Sequence, residues 1–103
     1  MTNDADKVLE LRGLECFDRY VDASPYLLTN QYVTAVTVVH TTPDGSAAAS
    51  YTITPDVAFP NATGAAVTAA AAFAALGWHL VDVVLTVTGG AEHVYRYRVF
   101  YGG

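Results

Sequence analysis

Two turn signals, Pro43-Asp44-Gly45-Ser46 and Gly89-Gly90, each separate runs in which β-branched and aromatic residues recur at every second position. Asp-Gly and Gly-Gly supply the positive-φ positions that a tight reversal between antiparallel strands requires, so these two places constrain the fold most. The runs cover residues 31–42 and 47–54 around the first turn, and 79–88 and 92–101 around the second. Two hairpins, about 31–54 and 79–101, are therefore predicted.

Matching the faces sets the registers. With Asp44-Gly45 at the tip, Thr42 pairs with Ala47, and Val36, Val38 and His40 face Ile53, Tyr51 and Ala49 on an apolar side. The other side pairs Thr37 with Thr52, Val39 with Ser50 and Ala35 with Thr54, and a one-residue slip would mix the two. In the second hairpin a two-residue loop sets Val81 and Val83 beside Arg98 and Arg96. A three-residue loop, Gly89-Gly90-Ala91, instead places Val87, Leu85, Val83 and Val81 opposite His93, Tyr95, Tyr97 and Val99. On the reverse face Asp82 then meets Arg98, Val84 meets Arg96 and Leu80 meets Phe100.

Outside the hairpins the sequence suggests helices. Over about 4–22, Leu9, Leu14, Cys16, Phe17, Tyr20 and Val21 share a face at 3.6-residue spacing, and Asn3 or Asp4 can cap the start. Asp4 and Asp6 suit the helix dipole, Glu15–Arg19 is an i,i+4 pair, Gly13 weakens the centre and Ser24-Pro25 ends the element. The alanine-rich stretch of about 62–76, from Pro60-Asn61 to Gly77, is also predicted helical. Its Phe73, Leu76, Ala66 and Ala69 face the sheet, and Val67, Ala71 and Ala74 form a smooth second face open to a partner. The expected fold is one α+β domain over 1–103, ordered α-ββ-α-ββ, with two helices packed on one face of a four-stranded, mainly antiparallel sheet.

Composition narrows the function. The chain has 103 residues, 52% apolar and only 15% charged, which permits one core and opposes a disordered tail. A net charge of −5 with one lysine opposes duplex nucleic acid. Cys16 alone excludes an internal disulfide. The acidic N-terminus lacks a secretion signal, and the stretch from Gly64 to Trp78 is short of the ~20 residues that span a bilayer, so a cytoplasmic protein without membrane contact is expected. One lysine amid abundant Ala, Val and Asp suggests a GC-rich coding genome, such as that of an actinobacterium or its phage.

Catalytic motifs are missing: there is no nucleophile elbow, Walker loop, dinucleotide fingerprint or Cys-x-x-Cys. His40, His79 and His93 project to the apolar side at different strand ends and are expected to be structural, as is Cys16 on the helix's apolar face. Asp18 and Asp22 fall on a solvated face, and Asp82 is expected in a cross-strand ion pair with Arg98. Tyr95, Tyr97 and Tyr101 alternate on one face, which is either a base-stacking platform or, with Val81, Val83, Leu85 and Val99, core. No catalytic residue, metal site or cofactor is expected.

The strongest surface candidate is the outer face of the second hairpin, where Leu80, Val84, Val94 and Phe100 surround Arg96 and Arg98. An apolar patch with an arginine rim suits a protein interface, unless residues 23–30, with Tyr26, Leu27 and Leu28, cover it. The expectation is a small non-enzymatic module for protein–protein contact or self-assembly, an accessory or inhibitor protein binding another protein or itself. A small-molecule binder or enzyme using His79, His93 and tyrosine hydroxyls between helices and sheet is a further alternative.

The chain ends Tyr101-Gly102-Gly103. With its order of hairpin, helix, strands and terminal Gly-Gly, the stretch 31–103 resembles the ubiquitin-like β-grasp family, including its bacterial sulfur carriers. That resemblance implies a sulfur carrier or modifier whose C-terminal glycine is activated. The family has no helix ahead of its first hairpin, and here Gly-Gly follows the predicted last strand at once.

Overall fold

The computed structural model describes residues 7–45, 47, 48 and 50–103, with backbone alone at 47 and 48. It is all-β. Among the described residues there are eight strands, β1 (Lys7–Leu11), β2 (Asp18–Asp22), β3 (Val33–Thr41), β4 (Ala47–Ala48), β5 (Tyr51–Pro55), β6 (Gly64–Ala69), β7 (Gly77–Val87) and β8 (Glu92–Tyr101), and one 3-10 turn at Ser24–Tyr26. They form a five-stranded sheet, β1-β8-β7-β3-β4, and a three-stranded sheet, β2-β6-β5. No α-helix occurs among the described residues, so the α+β architecture with two packed helices is overturned, and so is the helix that a β-grasp fold needs.

The predicted helix over 4–22 is two strands in different sheets. Leu9 and Leu11 pack toward the core while Val8 and Glu10 are exposed, a period of two rather than 3.6. β1 lies parallel to β8, with Leu9 beside Val99. Gly13 then takes φ 57°, which ends the strand and lets the chain cross to β2. Of the apolar face assigned to the helix, Phe17 and Val21 are fully buried, but Leu14 is 92% exposed and Cys16 and Tyr20 face solvent. The capping positions Asn3 and Asp4, and Asp6, lie outside the described residues.

The alanine stretch is divided as well. Residues 64–69 are the central strand of the small sheet, paired antiparallel with β2 on one side and β5 on the other. Ala65, Val67 and Ala69 are buried at alternate positions. Alanine's preference for helix over strand is a few tenths of a kcal/mol per residue, less than a strand gains from a ladder on each side. Residues 70–76 follow as an irregular segment that buries Phe73. The smooth helical face of Val67, Ala71 and Ala74 therefore does not exist: Val67 is core, and Ala71 and Ala74 are exposed in this segment.

The first hairpin closes at the expected turn, where the Gly45 amide bonds the Thr42 carbonyl, but it is cut short. Among the described residues the pairs are His40–Ala48 and Thr41–Ala47, one residue away from the expected register, and β5 then belongs to the other sheet. The main partner of β3 is β7, with Val38 opposite Val83. Ser46 of the expected turn and Ala49, expected opposite His40, lie outside the described residues.

The second hairpin is the best-read element. Its loop starts one residue early, with Val87 N–H bonding Ala91 and with positive φ at Gly89 and Gly90. Pairing shifts by two, so Val83 meets Tyr95 and Asp82 meets Arg96 rather than Arg98. A shift of two leaves every side chain on its expected face.

One core joins the sheets. Val81, Val83, Leu85, Val99, Tyr95, Tyr97 and Tyr101 from the large sheet meet Phe17, Val21, Val67 and Ala69. Phe17 makes edge-to-face contacts with Tyr97 (5.2 Å) and Tyr51 (5.9 Å). The tyrosines are thus core under a second sheet, not a stacking platform. Their hydroxyls tie in distant loops, Tyr95 to the Asp22 carbonyl and Tyr101 to that of Gly13.

Candidate contact face and a buried histidine relay

Side chains alternate across a strand, so with the inner positions of β7 and β8 in the core, the others form an open outer face. All six residues expected at an interface lie there. Trp78 pairs with Phe100, Leu80 with Arg98, Asp82 with Arg96 and Val84 with Val94. Neighbouring strands add Val8, beside Arg98, and Val39, beside Asp82. Residues 23–30 do not cover this face: Tyr26 and Leu27 pack against the core, and Tyr26 stacks on His93.

The face has a defined chemistry. Asp82 and Arg96 form a two-pronged pair, Nε to Oδ1 at 2.9 Å and Nη2 to Oδ2 at 3.1 Å, in its middle. Trp78 and Phe100 tilt against each other at 5.2 Å at one end. Trp78 is 56% exposed, Val8 66%, Val39 50% and Val94 44%, while Leu80, Val84 and Phe100 are half-buried. A groove of about 480 Å³ opens beside Trp78, lined also by Val8, Pro43, Leu80 and Arg98. Sequence reasoning missed Trp78, Val8 and Val39. Trp78 lies two residues before Leu80 and shares its face, so it was within reach. Val8 and Val39 depended on knowing which strands flank the hairpin.

Two of the three histidines converge, which the sequence did not indicate. β3 and β7 are neighbours with His40 opposite Val81, and that places His79 diagonally beside His40 on the inner side. His40 Nε2 lies 2.8 Å from His79 Nδ1, the Tyr51 hydroxyl lies 2.8 Å from His40 Nδ1, and His79 Nε2 lies 2.7 Å from the Ala75 carbonyl oxygen. A carbonyl only accepts, so His79 holds its proton on Nε2, and in neutral form its Nδ1 accepts from His40. His40 Nδ1 then accepts from Tyr51. The chain of donors runs one way, from Tyr51 through both rings to Ala75.

Phe73 packs on both imidazoles, at 4.5 Å from His40 and 4.4 Å from His79. Burial first, and the neighbouring His79 second, lower the His40 pKa to about 4, and burial raises that of Tyr51. A cleft of about 390 Å³ adjoins the relay, walled by Thr42, Ser50 and the alanines of 69–75. All four ring nitrogens are already bonded, so the relay clamps the 70–76 segment to both sheets and presents no free ligand atom. No group of three or more His, Cys, Asp or Glu that could hold a metal occurs among the described residues.

The remaining expectations are placed simply. Cys16 is exposed. Asp18 bonds Thr68, and Asp22 accepts from Ser24. The Gly102 amide bonds the Leu11 carbonyl at 3.1 Å, so the first glycine of the tail lies against β1. No helix among the described residues is long and apolar enough to cross a membrane. Comparison with family profiles, curated proteins and solved structures gives no significant match.

Proposed function

We propose that this chain is a protein-contact module whose working surface is the outer face of the five-stranded sheet. The observation that supports this reading is the open, apolar character of that face. Trp78, Leu80, Val84, Val94 and Phe100 lie together on β7 and β8, Val8 and Val39 extend the patch onto the flanking strands, and no element among the described residues packs over them. An open apolar patch that contains an exposed tryptophan is the usual mark of a contact site. Arg96 is already held by Asp82, so the middle of the face can leave water without stranding a charge.

Affinity capture from the native host tests the reading, using the wild-type chain, Val94→Asp and Trp78→Asp as bait. Leu28→Asp, at an exposed apolar position away from this face, is the control. Partners should be retained by the wild type and the control and lost by both face variants, with strand content unchanged by circular dichroism. Capture that is identical with all four baits would overturn it.

A further inference from the structure

We infer that the outer face of the five-stranded sheet docks a second copy of this chain, face to face, about a two-fold axis parallel to the strands and midway between β7 and β8. The inference rests on the contact-face reading and names its occupant. Its ground is the chemistry of the rows that pair across β7 and β8. Trp78 pairs with Phe100, Asp82 with Arg96 and Val84 with Val94. An axis so placed lies in the plane between the two faces, lays β7 of one copy over β8 of the other and keeps each row level.

Each row then meets its own complement. Trp78 lies over Phe100 of the partner subunit, Val84 over the partner subunit's Val94, and Asp82 over Arg96 of the partner subunit. The two ion pairs become a four-charge alternating ring across the axis, with no like charges opposed, where burial strengthens them most. The Leu80–Arg98 row lays guanidinium stems on leucines, an arrangement long side chains tolerate. Sheets packed in this aligned way lie about 10 Å apart and rotate by about 30°, which displaces the central Asp82–Arg96 row least. The charge count favours a copy over a foreign partner. The chain carries −5, yet this face sets Arg96 and Arg98 against Asp82, Glu10 and Glu92, close to balance, so no strong field selects an oppositely charged surface.

Mixing opposite charge variants separates contacts between copies from those within one. In Arg96→Asp every charge in the ring is negative, and in Asp82→Arg every one is positive. Each variant alone should be monomeric by sedimentation equilibrium at about 1 to 100 µM, the range in which a modest interface first assembles. Mixed one to one, they should form heterodimers, although the ion pair inside each chain is still broken. The wild type should dimerise over the same range, with a blue shift of emission from its single tryptophan, Trp78. Val94→Glu, which leaves the Asp82–Arg96 pair intact, should also be monomeric and guards against misfolding of the charge variants. A monomeric wild type with invariant Trp78 emission, or charge variants that fail to recover on mixing while Val94→Glu still dimerises, would overturn the inference. A monomeric wild type that still captures a host protein through Trp78 and Val94 overturns the second copy and leaves the contact face standing.

Discussion

The proton between His40 and His79 belongs to His40, because His79 Nε2 must spend its own on the Ala75 carbonyl. This direction fits two neutral rings. With both protonated, N–H would point at N–H across 2.8 Å.

Stability should therefore depend on pH through His40. Its folded pKa of about 4 lies below its ordinary 6.5. Between these values the unfolded chain binds a proton that the folded chain does not, so stability rises with pH across that window. The contribution is complete above about pH 6.5 and lost as pH falls to about 4. Thermal midpoints at pH 4 and 7 should differ by several degrees more in the wild type than in His40→Gln. Equal differences would assign the effect to other groups.

Phe73 plugs the segment that the relay clamps, with its ring against both imidazoles and 6.3 Å from that of Tyr101. Phe73→Ala should cost about 3 kcal/mol or more in urea unfolding, the usual loss for a buried phenylalanine. Amide exchange in 70–76 should accelerate beyond the global change.

Gly64 opens β6 opposite Asp22 of β2. A Cβ there would lie 2.5 Å from the Tyr20 hydroxyl and 2.6 Å from the Val21 carbonyl oxygen. Gly64→Ala should destabilise by about 1–3 kcal/mol. Tyr20 can swing outward, but the Val21 carbonyl belongs to the β2 backbone. Adding Tyr20→Phe should therefore not restore the midpoint, and full restoration would locate the clash in the hydroxyl alone.

Asp56 shapes the turn between β5 and β6. It accepts from the Thr63 hydroxyl and from the Thr63, Gly64 and Val57 amides, which lower its pKa to about 2. The stabilisation should be complete above its ordinary 3.8 and lost as pH falls to about 2, a window below that of His40. Asp56→Ala should cost about 1 kcal/mol at pH 7, because water screens so exposed a carboxylate. If Asp56→Ala leaves the unfolding midpoint unchanged at both pH 7 and pH 3, the turn holds without the carboxylate.

The sequence by itself determined the two reversals, the strand before the first, both strands of the second hairpin and the facing of β7 and β8, whereas the run 47–54 is divided between the two sheets. Each rests on local physics: glycine at positive φ, and a side-chain period of two that survives a register error of two. It also placed Leu80, Val84, Val94, Arg96, Arg98 and Phe100 on one face. Only tertiary structure decided the rest. Residues 7–22 carry apolar positions that suit a helix, and the parallel ladder to β8 makes the first part a strand instead. Residues 64–69 favour helix locally and are held as strand by neighbours on both sides. The His40–His79 contact depends on β3 lying beside β7, a pairing between segments about forty residues apart. Local preferences of tenths of a kcal/mol yield to such long-range ladders, and one chain's periodicity does not say which strands will be neighbours.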